Sequence, residues 1–160
     1  MDGFDWRVSI ASIDQAGPFS AFPGVDRVIM LLGGAGVHLR SDNGINHRLD
    51  QWHLPFAFSG DAALDCLLLG GPSTDFNVMT RRAALRAQVQ VLGAAFALPE
   101  ASRGLLLALR GHWQLNGEGG ALHCAAGHGV WWDGEPHTLR VAPRDNDAAL
   151  VWVRLDTAGV

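Results

Sequence analysis

There is no lysine in this chain and no tyrosine, and all twelve cationic side chains are arginines. A Schiff-base lysine and a phenolic acid are therefore excluded as catalytic groups. Cationic runs are missing too. The net charge is −4 and the arginines are scattered, so the basic footprint of a nucleic-acid binder is absent. Charged residues make up 18% of the chain, below the usual quarter, which favours a well-packed globule over disorder. No apolar run approaches the length of a membrane-spanning helix. The first residues, Met-Asp-Gly-Phe-Asp-Trp-Arg, are too polar for a secretory signal, so a cytoplasmic protein is expected. Cysteine is scarce. Cys66 and Cys124 form no Cys-x-x-Cys pair and read as reduced thiols. Cys66, within the apolar run 63–69, reads as a small core residue.

Several motifs are also missing. A metal-dependent β-barrel enzyme would offer His-x-His with a Glu and a third His downstream. Here His38, His47, His53, His112, His123, His128 and His137 stand apart, so no metal and no other cofactor is expected. There is no Gly-x-Ser-x-Gly elbow. The run Gly33-Gly-Ala-Gly36 lacks the lysine and helix of a phosphate loop and reads as a tight turn needing positive φ.

What the chain does have is punctuation. Its 20 glycines and seven prolines separate short apolar stretches, the rhythm of many strands joined by tight turns. Strands are expected over 6–12, 27–32, 36–40, 45–49, 55–58 and 64–69. In the second half they are expected over 104–110, 112–115, 121–124, 129–132, 138–141 and 149–155. Within the first, Trp6, Val8 and Ile10 alternate with Arg7, Ser9 and Ala11, as a strand requires. The segment Thr80–Leu92 is ambiguous: it opens with strong helix formers and closes in strand-like alternation. A faint repeat relates Val28–Arg40 to Leu105–Leu115, each an apolar strand, a glycine break and a strand carrying His. A Gly60-Asp61 or Asp133-Gly134 corner follows each. Duplication of a small β-barrel accounts for it.

Three aromatic turns stand out: Pro18–Arg27, Phe56–Asp61 and Gly70–Met79. Each joins apolar rings to hydrogen-bonding groups, and convergent rings with a few polar groups describe a small-molecule pocket. An arginine on a strand would suit a carboxylate, because its forked donors match two oxygens. The structural alternative is that these polar residues only staple turns to strands.

These segments resemble the HutD/Ves family. The resemblance rests on Trp6-Arg7 with Ser9 and Ala11, on Gly17-Pro-Phe-Ser20, and on Phe22-Pro-Gly-Val-Asp-Arg27. It continues through Phe58-x-Gly-Asp61, Gly71-Pro72 and Asp75-Phe-Asn-x-Met79 with Arg81. These motifs run in order over roughly residues 6–82. The second half agrees in length and strand rhythm. The resemblance implies an all-β bicupin: two antiparallel barrel lobes in one domain spanning 1–160, the first about 1–92 and the second about 93–160. It makes Val89–Leu92 a strand crossing between lobes. It also implies a link to histidine utilisation and a small carboxylate ligand of the formylglutamate kind. The carried-over pocket consists of Arg7, Ser9, Arg27, Asp61, Asn77 and Met79, walled by Phe19, Phe58 and Phe76, with Asp61 the more structural member. The expected function is non-catalytic binding with a regulatory role and no nucleic-acid or membrane partner. A cupin-fold isomerase or hydrolase is the second reading. A protein-interaction module, with a tryptophan-rich face forming a homodimer, is the third.

Overall fold

The computed structural model describes residues 4–42 and 44–159, and its regular structure is entirely β-strand. The first three residues, on which the expectation about a leader partly rests, lie outside the described ones. The chain divides into two units, Met1–Arg86 with Thr157–Val160, and Ala87–Asp156. Both cut points of the division, after Arg86 and after Asp156, fall within strands.

In the first unit eight strands follow one another: β1 (Trp6–Ile13), β2 (Gly17–Phe19), β3 (Val25–Gly34), β4 (Val37–Arg40), β5 (Asn46–Leu49), β6 (Phe56–Ser59), β7 (Leu64–Leu68) and β8 (Ser73–Arg81). They form two four-stranded sheets, in the orders β1-β8-β3-β6 and β2-β7-β4-β5. The next eight are β9 (Leu85–Leu92), β10 (Phe96–Ala97), β11 (Ala101–Arg110), β12 (His112–Gly117), β13 (Gly120–Ala125), β14 (Gly129–His137), β15 (Arg140–Pro143) and β16 (Ala149–Thr157). Their sheets run β9-β16-β11-β14 and β10-β15-β12-β13. Adding eight to each strand number of the first pair of sheets yields the second pair. The duplication faintly visible in the sequence is therefore complete in the topology, and the two lobes are two copies of one eight-stranded pattern.

Alternation sets each core. In the first unit Ile29, Leu31, Val37, Leu39, Leu49, Leu64 and Cys66 are buried together, with Phe19, Phe56 and Phe58 packed against them. The second unit buries Leu106, Ala108, Trp113, Leu115, Cys124, Leu150 and Trp152. Each Leu, Ile or Phe removed from water in this way contributes roughly 1.5–3 kcal/mol. Both thiols are buried and free.

Three local expectations need correction. Gly70–Met79 is not simply a turn: from Ser73 it is β8, paired with both β1 and β3. Its polar residues Ser73, Thr74, Asp75 and Asn77 mask the strand, because they suit turns equally well. The helix formers of Thr80–Leu92 make no helix. The chain turns after Arg81, with Ala84 N–H bonded to Arg81 C=O at 2.9 Å, and β9 follows, its place in a sheet overriding helical propensity. Asp133-Gly134 is no corner but lies inside β14.

The Gly33–Gly36 expectation holds. Gly34 and Gly36 have φ of 87° and 92°, and a Cβ at Gly36 would collide with the Leu49 carbonyl. Gly36 N–H also donates to Ser73 Oγ at 2.9 Å. Gly36→Ala should therefore cost roughly 2 kcal/mol or more of stability from backbone strain and collision together. Chemical denaturation of the variant checks this, and an unchanged midpoint would contradict the assignment.

Candidate functional site

Register places the chemistry. Across the first sheet, Arg7 on β1 faces Met79 on β8, Met79 faces Arg27 on β3, and Arg27 faces Phe58 on β6. Side chains directly opposite one another in an antiparallel pair share a face. These four residues thus form one row on the inward face of the sheet. The next inward row is Ser9, Asn77, Ile29 and Phe56, and the one after it contains Ala11, Asp75 and Leu31. An ionic cluster is built into an apolar interior by nothing more than period-two alternation.

Arg27 is its centre. The residue is 8% exposed. Its guanidinium carbon lies 5.5, 5.6 and 5.2 Å from the ring centres of Phe19, Phe22 and Phe58. Cation–π attraction of this kind is worth about 0.5–2 kcal/mol per ring. Nε and Nη2 both donate to Asn77 Oδ1, at 3.4 and 3.2 Å. Among the described residues no carboxylate lies within ion-pair distance of this guanidinium. A guanidinium has five donors, and one amide oxygen with three aromatic faces leaves the fork largely unspent. Burial lowers the Arg27 pKa from its ordinary value, opposed by the charge of Asp75.

Asp75 is the only buried carboxylate, 4% exposed among the described residues. Burial pushes its pKa up to about 6, against the pull of Arg27 and of a hydrogen bond from its own backbone N–H. The Cys66 thiol is driven up to about 11 by burial and by the charge of Asp75. It is no nucleophile at neutral pH. His47 stacks on Phe56 with ring centres 3.6 Å apart. Burial holds it below its ordinary pKa, assisted by His38 and opposed by Asp50.

Of the nine residues expected from the sequence, Arg7, Ser9, Phe19, Arg27, Phe58, Asn77 and Met79 belong to this inward face or pack against the core beneath it. Arg7 lies at its edge, exposed and two strands from Arg27, a separation of about 10 Å. Two residues are placed elsewhere. Phe76 is buried, but it sits between Asp75 and Asn77 on β8 and so points to the opposite face. Asp61 is an exposed staple: its carboxylate accepts from Gly24 N–H at 2.6 Å and Ser59 Oγ at 2.8 Å, and it pairs with Arg82 at 2.8 Å. Those contacts hold it down to about 2. Arg82 also bridges to Asp26 at 2.7 Å, so the turn entering β3 is clamped. Sequence reasoning missed Phe22 and Asp75 as members. Asp75 was detectable, since it lies two residues from Asn77 and shares its face once the segment is recognised as a strand.

The second unit has nothing equivalent. β3 and β11 each carry a register shift, after Leu31 and after Ala108. Counting back from it, Ile29 corresponds to Leu106 and Arg27 to Gly104. Across the pairings, Asp75, Asn77 and Phe58 correspond to Leu150, Trp152 and Trp132. A Cβ at Gly104 would lie 2.5 Å from the Trp132 ring. One lobe thus places an indole where the other places a guanidinium. The second unit also has a cavity of about 450 Å³ lined by Leu122, Val130, Trp131, Trp132 and His137 among others. A cavity of about 300 Å³ on the first unit is lined by Gly17, Arg40–Asp42 and Asp65–Leu67, and Arg27 is not part of its wall. Among the described residues no group of three His, Cys, Asp or Glu is placed to hold a metal ion. Among the described residues, no helix is long and apolar enough to cross a membrane.

Comparison with known proteins identifies the family and the fold. The HutD family model matches residues 1–150. The chain belongs to the HutD family. Protein Ves of Cronobacter sakazakii is 41% identical over 139 residues, covering 86% of this chain and 74% of that protein. Among solved structures, a conserved protein of unknown function from Pseudomonas aeruginosa PAO1 superposes with a TM-score of 0.87 at 32% identity, over 98% of this chain and 84% of the other. HutD from Pseudomonas fluorescens SBW25, determined in a formate condition, gives 0.81 at 28% identity, over 99% and 82%. A cupin barrel protein from Leptotrichia buccalis, at 8% identity and a TM-score of 0.62 over 98% and 86%, shares the fold alone. This HutD-family chain is thus a bicupin, with its one buried ionic cluster, among the described residues, in the first lobe.

Asp75 makes the cluster testable. Native protein holds the Asp75 proton up to about pH 6, while the unfolded chain loses it near pH 3.9. Between these values the native state binds the extra proton, so this residue's contribution to stability falls as pH rises through the window. Asp75→Asn should remove that slope. Relative to the native protein, its unfolding free energy should gain about 3 kcal/mol between pH 4 and pH 7. Urea denaturation at several pH values measures it, and a constant difference would show that Asp75 is ionised throughout.

Proposed function

We propose that this protein is a non-catalytic binder of a small carboxylate, held by Arg27 inside the first lobe, and that binding serves a regulatory role in histidine utilisation. The observation that carries the reading is the unfinished state of Arg27: buried, bonded among the described residues only to Asn77, and ringed by Phe19, Phe22 and Phe58. A buried cation lacking close acceptors is costly. A carboxylate would supply two oxygens in the plane of the fork. The aromatic faces would exclude water around the pair and strengthen it. A formylglutamate-like ligand meets these requirements with one carboxylate at the guanidinium. Support for the histidine link comes from family membership and from the motifs between Trp6 and Met79. No nucleophile is asked of the chain, in keeping with a thiol at Cys66 that burial keeps protonated.

Urocanate, formylglutamate, formiminoglutamate and glutamate, each at millimolar concentration, provide the test. A ligand at a hundred times its Kd stabilises the native state by about 2.7 kcal/mol, which reads as a rise in Tm. At least one of the four should produce it, and Arg27→Ala should abolish it. A flat response to all four would defeat the reading, and a shift that survives Arg27→Ala would move the site away from Arg27.

A further inference from the structure

Arg27 and Asp75 face the same interior two rows apart on β3 and β8, and without a ligand their charges balance. A bound carboxylate upsets that balance. Two anions would then share one guanidinium inside a wall of phenyl rings, leaving a net negative charge out of water. Burying such a charge costs far more than binding a proton. We infer that the site takes its carboxylate together with one proton, and that Asp75 carries the proton. The inference rests on the carboxylate reading above and deepens it: the ligand is bound as a neutral pair, and the affinity follows pH.

Asp75 is the group suited to this role. It is 4% exposed, and among the described residues no side chain donates to it. It is poised to protonate, since its pKa already stands at about 6, and a second anion would raise it further. The other groups facing it are few. Arg27, from β3, remains a cation at any ordinary pH. Cys66, from β7, remains a thiol to about pH 11. His47, from β5, is held below its ordinary value by burial, assisted by His38 and opposed by Asp50. Arg7, on β1, is exposed at the far row, and Arg81, on β8 itself, is drawn off by Asp5 at 3.2 Å. β2, β4 and β6 turn only glycine or apolar residues to this interior. Between pH 7 and 8.5, therefore, Asp75 is the buried carboxylate of this interior, among the described residues, placed to supply a proton-linked step.

Formate, the smallest carboxylate, is the probe. Its affinity for the native protein is measured by NMR titration at pH 7.0, 7.5, 8.0 and 8.5. One linked proton makes Kd rise by up to about tenfold per pH unit. Asp75→Asn should bind formate equally well at all four values and more tightly than the native protein at pH 8.5. If the native affinity is flat across the series, the proton linkage is wrong while the carboxylate site stands. If the native protein binds no formate at any of these pH values, the carboxylate reading itself falls. Should Asp75→Asn fail to fold, the native profile decides alone, because a tenfold-per-unit slope or its absence needs no variant.

Discussion

The seating of β3 between β8 and β6 is the constraint on which the first lobe depends. Antiparallel pairing leaves no choice of face. Once Arg27 stands opposite Met79 and Phe58, every second residue of three strands is committed to the interior. A slip of β3 by one residue would turn Arg27 outward, away from Asn77 and Asp75 of β8, and bring its neighbours in. The register is defended at its ends. Arg82 reaches Asp26 and Asp61, and Asp61 caps Gly24, which fixes where β3 begins. The glycines at 34 and 36 carry the positive φ that lets β3 stop and β4 start. These staples are exposed and individually weak. Their effect is positional, since they hold in place a cluster that alternation alone then completes.

Duplication sharpens the contrast between the lobes. The strand order is the same in each, yet Arg27, Asn77 and Asp75 of one lobe correspond to Gly104, Trp152 and Leu150 of the other. The second lobe solves the ordinary problem of a small barrel by filling it with large apolar rings. Trp113 is fully buried there and Trp152 nearly so. The first lobe keeps a cation and a carboxylate in the same position at a real cost. Buried charges that make no close pair cost stability that apolar packing would supply. A polar interior retained in one copy and replaced by indoles in the other is the pattern expected when function, not folding, holds the charges in place.

Much of this was legible in advance. The turn rhythm, the absence of His-x-His and the ordered motifs from Trp6 to Met79 point to an all-β bicupin of the HutD family. The strands of β3, β4, β7 and β12 fall close to where alternation places them. The family resemblance brings Arg27, Asn77, Phe19 and Phe58 into one pocket on paper, and the structure places all four on or against the same inward face. β8 was not legible, because Ser, Thr, Asp and Asn favour turns as strongly as an interior sheet position can tolerate them. That single misreading hid Asp75 and put Phe76 on the wrong face.

By itself, the sequence determined the chemistry on offer: arginine as the only long cation, no metal-ligand spacing, abundant glycine for tight turns, and a β-rich apolar pattern. These are local properties, set by residue type and spacing. Only the tertiary structure decided which residues meet. Asn77 lies 50 residues from Arg27 along the chain and is brought to it by a ladder whose register is not encoded in either segment alone. The burial that raises Asp75 and leaves Arg27 with unspent donors arises only when two sheets close over them, since a pKa shift of that size needs water removed from all sides.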